Sequence, residues 1–489
     1  MKRTCKSIPA PTTWNLLLSV CVVAVTAGEQ LTEQDAIAHA LDAGSQFRIL
    51  LINRASDSLS TQSVESDELP QLEFDASYRT SFNDSLEDLA AEDLVHQAKA
   101  AVSGKKSIRG GGSVSGAVSE TVTHDASDNQ TKFSTAFGIS YDHELLKNSG
   151  RYSSAQYAIL IRRIDAHKFR LEQKKRLLGD ISDVRMMYWN LYEKLILLDI
   201  AKAARDLAHK DLQTARIKHE IGEGSQLDTL SAALEFLRAQ RRLLIATTSI
   251  SQARRSLALA VGADEDSVEI DTARRPDIGD FPPPHEFISK ARTFDPRLRI
   301  FETAFKKLQL NKDKLKNDML PSARAGISVG RTFTSIIDGF NSDGITGAAS
   351  SHSDNAVISL ILSYNLPATK RRISIRQTEY DIDKNRLEQN EYHTELMHRI
   401  RSLLDSWRQE KEDLRISRAA RAIAQKQLDA ATRGFELGAV DNLSLLKARN
   451  DFIDTAVETL RKIIALKKLE ITFDEITGES LAKFGVTMQ

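Results

Sequence analysis

The side chains able to do chemistry are plentiful in this chain, yet their spacing assembles no reactive centre. Eleven histidines are scattered along it. His393 and His398 stand five apart, so on a helix their rings diverge, and no His-Glu-x-x-His pair sets two imidazoles one turn apart. No Gly-x-Ser-x-Gly elbow places a serine between a strand and a helix, the position from which a hydroxyl can act as nucleophile. The run Gly110-Gly111-Gly112-Ser113-Val114-Ser115-Gly116 has neither a preceding strand nor a Gly-Lys-Ser/Thr ending, so it reads as a flexible loop and not as a phosphate cradle. The six methionines do not cluster into a soft-metal path. Carboxylates abound, but on long helices a charge belongs to a solvated face. No enzyme and no cofactor are expected.

Thiol chemistry is excluded by position. Both cysteines, Cys5 and Cys21, fall within a leader: Lys2, Arg3 and Lys6 precede an apolar run from Trp14 to Val25, and Val25-Thr26-Ala27 forms a small-residue cleavage site. Residues 1–27 read as a secretory signal peptide. Leu18-Ser19-Val20-Cys21 departs from a lipobox at Val20, where a small residue is usual, so Cys21 reads as filler of the leader core. Lys plus Arg and Asp plus Glu both number 67, which leaves no basic surplus for a nucleic-acid backbone. No later segment offers the roughly 20 apolar residues of a spanning helix. If the chain crosses a membrane, it does so with strands.

The elements that would carry such strands are marked by proline and glycine. Residues 180–221, 225–261, 368–433 and 439–477 contain neither, and a 66-residue helix would be about 100 Å long, a length that coiled-coil packing supports in water. Leu443, Leu446, Ile453, Val457, Leu460, Ile464 and Ile471 alternate steps of three and four, as do Leu227, Leu230, Leu234, Leu237 and Leu244 upstream. The two segments are copies at an offset of 216, which maps Leu227 onto Leu443, Leu230 onto Leu446, Gly222 onto Gly438 and Gly262 onto Gly478. Upstream the offset is 251: Asp35-Ala36-Ile37 matches Glu286-Phe287-Ile288, and Leu69-Pro70 matches Leu320-Pro321.

The chain therefore reads as a duplication. The first repeat, 28–273, has a helix over 31–68, strands over 71–82 and 132–142, a long helix over 148–221 and a helix over 225–262. A linker, 274–284, leads to the second repeat, 285–489. That repeat has a helix over 284–318, strands over 322–333 and 355–366, a long helix over 368–437 and a helix over 441–478. The strands show period-two alternation. Leu72, Phe74, Ala76 and Tyr78 oppose Glu73, Asp75, Ser77 and Arg79, and Ile358, Leu360 and Leu362 oppose Ser359, Ile361 and Ser363. Four strands of this kind suit a membrane barrel but cannot close one, so several chains must share it. The polar segments 83–131 and 334–354 read as exterior loops, with a short amphipathic helix over 86–102.

These features resemble the TolC-like outer-membrane efflux proteins over nearly the whole mature chain. Leu31-Thr32-Glu33-Gln34-Asp35-Ala36-Ile37 looks like the family's opening helix. The Leu-Pro steps look like its helix-to-strand transitions, and Phe435-Glu436-Leu437-Gly438 with Leu443, Leu446 and Ala448 looks like its turn into the last helix. The resemblance implies a mixed α/β membrane protein, a homotrimer whose four strands per chain close a 12-stranded barrel continued by a coiled-coil tunnel in the periplasm. It implies a passive outer-membrane conduit of a tripartite efflux pump or type I secretion system, working with a periplasmic adaptor and an inner-membrane pump, and embedded in outer-membrane lipid. It places the periplasmic tips and adaptor contacts at Gly222, Gly224, Ser225, Gly438, Ala439 and Asp441. The acidic entrance positions of well-known members fall on Ser444 and Lys447, while Asp228 keeps the first-half acid, so the entrance constriction is expected at Asp228, Ser444 and Lys447. The competing reading is a periplasmic adaptor, which would carry one coiled-coil hairpin flanked by small β domains.

Overall fold

The computed structural model describes residues 30–83, 93–125, 130–272, 276–279, 283–338, 340–341, 344–345, 348–364, 369–437 and 439–486. The expected leader and part of the expected linker lie outside these residues. The first repeat holds α1 (Glu33–Ala43), α2 (Ser45–Ser66), β1 (Gln71–Asn83), β2 (Asp93–Ile108), β3 (Gly112–Asp125), β4 (Gln130–Glu144), α3 (Ser154–Glu220) and α4 (Gln226–Val261). The second holds α5 (Pro284–Phe294), α6 (Pro296–Asn317), β5 (Ser322–Asp338), the two-residue strands β6 (Phe340–Asn341) and β7 (Gly344–Ile345), β8 (Ala348–Ser363), α7 (Thr369–Glu436), α8 (Asn442–Thr477) and α9 (Glu479–Lys483).

The duplication recurs in the bounds: α1 and α5 are both 11 residues, α2 and α6 both 22, and α4 and α8 both 36. It recurs in contacts as well. The left-handed C-cap Gly262 (φ +75) closes α4 so tightly on α1 that a Cβ would stand 2.7 Å from the Ala43 carbonyl oxygen. Its copy Gly478 (φ +72) closes α8 onto the Phe294 ring, 1.9 Å from where a Cβ would be. Only glycine fits either place. The single helices expected over 31–68 and 284–318 are each divided in two. Thr32 and Asp35 form a capping box that starts α1, Gly44 caps its end, and Asp295-Pro296 interrupts the second, proline being suited to the first turn of α6.

The chain folds as two compact units. One comprises Arg54–Glu172 with Arg297–Tyr392 and contains the sheet. Its six long strands are antiparallel in the order β1-β2-β3-β4-β5-β8. Four strands per chain were expected, and this is a correction: residues 93–125, read as an exterior loop with a helix over 86–102, pair as β2 and β3 along their whole length. Small and charged residues had masked their alternation. Beside the sheet, Asp57 of α2 pairs with Arg162 of α3, and Lys307 of α6 reaches Asp165 at 2.7 Å.

The other unit, formed by the chain up to Asn53, Gln173–Pro296 and the chain from His393, has the main helical core. Ile37 of α1, Ile181 and Leu191 of α3, Leu257 of α4 and Ile471 of α8 are fully buried together, with Trp189 edge-on to Tyr188 and Tyr192. Inside this apolar packing lies Arg185 of α3. Its Nε donates to Glu33 of α1 at 2.6 Å and its Nη1 to Asp474 of α8 at 2.7 Å, while Lys483 of α9 donates to the other Asp474 oxygen at 2.7 Å. Burial alone would lower the Arg185 pKa, but the two carboxylates outweigh it and hold the pKa above its usual value. Removing one member of a buried ion pair strands the other. Arg185→Ala is therefore expected to cost about 3–5 kcal/mol, read as a lower denaturant midpoint; a midpoint equal to wild type would show that the pair carries no stability.

Candidate functional site: a two-faced wall and two helical tips

The sheet's two faces differ in kind. Cross-strand register aligns Leu72, Gly104, Gly116, Ile139, Val329 and Ala356 in one row, and Phe74, Val102, Val118, Phe137, Arg331 and Asp354 in the next. The first face is apolar toward the helix-proximal ends of the strands and open to its surroundings, with Leu72 81% exposed and Ile358 85%. Farther along it turns polar: Arg331 and Asp354 form a bidentate cross-strand pair, Glu120 accepts from Thr135, and His96 stacks between Tyr78 and His124. The opposite face is polar, with small and hydroxylated residues among charged ones such as Glu73, Asp75, Arg79 and Arg324. Ser115 bonds Ser140 at 2.6 Å, and Ser119, Thr121, Ser328 and Ser359 share that side. Ser328, although flanked as Gly-Ile-Ser-Val-Gly, lies in mid-strand.

The tips are built by helix-capping chemistry. At the end of α3, Glu223 N–H donates to the Lys218 carbonyl at 2.8 Å and Gly222 N–H to the His219 carbonyl at 3.1 Å, with Gly222 left-handed at φ +83. This is a Schellman closure, which satisfies the last free carbonyls of the helix. Gly224 packs where a Cβ would stand 3.0 Å from Lys218, and His219 Nδ1 lies 3.1 Å from the Gly224 carbonyl. Ser225 then starts α4: its Oγ accepts from the backbone of Leu227 and Asp228, and the Asp228 carboxylate accepts from Ser225 N–H at 3.3 Å.

The second tip repeats the closure, with Ala439 N–H donating to the Gly434 carbonyl at 2.8 Å. Gly438 lies outside the described residues. Asp441 caps α8 through Ser444 N–H at 3.0 Å, and the hydrogen bonds from Ser444 hold the Asp441 carboxyl below its usual pKa. Gly434 makes room for Val440, whose Cγ2 would lie 2.6 Å from a Cβ. Thus Asp228 and Asp441 serve as capping acceptors and Ser444 supplies the amide that Asp441 caps, whereas Lys447 is exposed one turn along α8.

Two contacts that sequence reasoning missed join the tips. Lys218 Nζ sits 4.6 Å from the centre of the Phe435 ring, and Arg449 of α8 pairs with Asp211 of α3, both largely buried. Nothing in the sequence marks either pair, since each joins residues more than 200 apart.

The leucine seams separate the two halves. On α8, Leu443 is exposed, Leu446, Ile453 and Leu460 are half-buried, and Ile464 and Ile471 are buried within the chain. On α4, Leu227, Leu230, Leu234, Leu237 and Leu244 are 51–71% exposed, while Ala232, Ala239 and Ile250 face the chain's own helices. The heptads on α4 thus mark a seam that this chain leaves open. Among the described residues, no helix is long and apolar enough to cross a membrane, and no group of three or more His, Cys, Asp or Glu is placed to hold a metal.

Residues 289–478 match the family model described as outer membrane efflux protein. No curated protein matches the chain. Among solved structures, the CmeC outer membrane channel of Campylobacter jejuni is similar with a TM-score of 0.67 at 11% identity, over 98% of this chain and 94% of that one. The open state of the Neisseria gonorrhoeae MtrE outer membrane channel is similar with a TM-score of 0.65 at 14% identity, over 91% and 88%. The outer membrane protein VceC of Vibrio cholerae gives 0.62 at 11% identity, over 91% and 96%.

Glycine is needed at the first tip for its conformation, not merely for space. Gly222→Ala should destabilise by roughly 1–2 kcal/mol, because a left-handed Cβ is disfavoured. Gly179→Ala, in mid-α3 with open space around it, should stabilise by up to about 1 kcal/mol. Thermal melts of the two variants should therefore move in opposite directions.

Proposed function

We infer, from the match of residues 289–478 to the outer membrane efflux protein family and from the shared fold, that this chain is an outer-membrane efflux channel. One observation carries the reading. A sheet that is apolar and exposed on one face and lined by serine and threonine on the other has the character of a wall between lipid and water. The adaptor alternative lacks support, because the chain carries two long helical hairpins in duplicate and a sheet of long strands.

The channel is a passive conduit from the periplasm to the exterior, and its working form is a homotrimer. The open leucine seam of α4 and the two free sheet edges support that assembly, since each needs a covering surface of the same repeating geometry. The turns at Gly222, Gly224 and Ser225 and at Gly438, Ala439 and Asp441 are the periplasmic tips, where an adaptor docks and links the channel to an inner-membrane pump. Outer-membrane lipid bears on the apolar face of the sheet. In this assembly Asp228, Ser444 and Lys447 surround the entrance. Asp228 stays a carboxylate while it accepts from Ser225, so the entrance sets its anion beside the exposed Lys447 ammonium, each in threefold copy, where relatives carry acid alone.

Two measurements test this. In a strain deleted for the gene and complemented with wild type, higher dye accumulation in the deletion with unchanged secreted proteins identifies small-molecule efflux. A missing exoprotein at normal dye accumulation identifies type I secretion, and a deletion that changes neither refutes the conduit. In planar bilayers, Lys447→Asp should raise cation over anion permeability severalfold; strong cation preference in the wild type, unaltered by the substitution, would refute a role for Lys447 at the entrance.

A further inference from the structure

The glycine-rich run and the segment before it acquire a role once β2 and β3 are seen as sheet. These strands continue both faces of the wall, the apolar side carrying Lys106 near its helix-proximal end and Glu120 farther along. Val102, Val118 and Val122 extend the apolar side set by Phe74 and Phe137, while Lys99, Ser103, Ser115, Ser119 and Thr121 extend the hydroxylated side. Gly104 and Gly116 lie opposite each other in mid-wall. The neighbouring Leu72 and Ile139 cover them, with Leu72 Cδ2 3.2 Å from where a Gly104 Cβ would stand and Ile139 Cγ1 4.0 Å from that of Gly116.

The turn between the strands is anchored at the helix-proximal end. Gly110 and Gly111 take φ of +98 and +100, and Gly150 N–H donates to the Gly110 carbonyl at 2.9 Å. Glu144 N–H donates to the Gly111 carbonyl at 3.0 Å, and Arg109 grips Glu68 through two nitrogens at 3.0 and 3.3 Å. A free exterior loop needs none of these ties. The turn lies beside β1's start and β4's end, across the full length of the strands from where an exterior loop would emerge.

We propose that the β2–β3 hairpin is part of the membrane wall itself, so that each copy contributes six strands. With the threefold channel reading, on which this rests, three copies close 18 strands instead of 12, β8 of one copy pairing with β1 of the next. Barrel diameter grows about linearly with strand number, so the barrel is about half again as wide as the 12-stranded form. The hairpin adds a luminal strip rich in serine and threonine to each protomer, with Lys99 and Lys105 as its cations.

The test is a pair of alternative disulfides sharing one position. Ser77 lies opposite Lys99, Lys99 opposite Thr121, and Thr121 opposite Ser134. With six strands, Ser77 and Lys99 are neighbours, while Ser77 and Ser134 are separated by three strand spacings, about 14 Å, beyond the ~7 Å limit for a disulfide. With four strands, β1 lies directly beside β4 and the relation reverses. Full-length Ser77→Cys/Lys99→Cys and Ser77→Cys/Ser134→Cys chains are recovered from outer-membrane fractions, and the bridged peptides are identified by mass spectrometry. The proposal expects the 77–99 bridge and no 77–134 bridge. A 77–134 bridge, or no 77–99 bridge in membrane-inserted chains, overturns it while leaving the channel reading intact. Absence of the Ser77→Cys single variant and of the wild type from the outer membrane overturns the channel reading instead.

Discussion

A sheet in hydrocarbon must pair every backbone N–H and C=O, because no water is there to satisfy them. In the proposed channel that constraint governs the sheet more than any side-chain contact does. The register from β1 to β8 satisfies every interior strand, and two edges remain at the ends of the order. An open edge beside an exposed apolar face cannot persist in lipid, so the proposed channel needs the sheet to close on other copies, with its polar face turned to water. The small side chains there, such as Ser115, Ser119 and Ser359, leave the interior unfilled, unlike the packed centre of a soluble barrel.

Much of this was legible in the sequence because duplication wrote it twice. The offsets of 216 and 251 recur in helix lengths and in the paired contacts of Gly262 with Ala43 and Gly478 with Phe294. What escaped was the hairpin at 93–125. Its outward positions include Ala98, Ala100 and Gly104, too small to register as apolar alternation, and Glu120 interrupts the pattern on β3. The interruptions at Gly44 and Asp295-Pro296 were visible as residue types, but a Leu-Pro boundary farther along drew each helix as one. At the tips, the turns were readable from glycine and serine. The capping roles of Asp228 and Asp441 follow from a local code, whereas Lys218–Phe435 and Arg449–Asp211 join positions that no local pattern connects.

The halves have diverged where they meet their surroundings. Leu227 and its copy Leu443 are both bare, yet Leu446, Ile453 and Leu460 of α8 are half-buried where their copies Leu230, Leu237 and Leu244 of α4 are exposed. A periodic apolar stripe states that a partner exists and is silent on whether that partner is in the same chain. The caps have diverged as well: a Ser–Asp box begins α4, and a single aspartate begins α8. Both solutions satisfy the amide at the equivalent third position, Asp228 in α4 and Ser444 in α8, while the box also engages Ser225 and Leu227.

In the export proposed for this chain, the Arg185 cluster sets an order of events. Its partners are Glu33, far upstream in the chain, and Asp474, which with Lys483 follows almost everything else. A chain that threads through a translocase from its N-terminus delivers Glu33 first and Asp474 last. Until then Arg185 has only half its counter-charge and the core around Ile471 is incomplete. This unit is thus finished only after the last helix has emerged, and a prematurely terminated chain exposes a buried cation and unburied apolar helices to the quality-control proteases it meets.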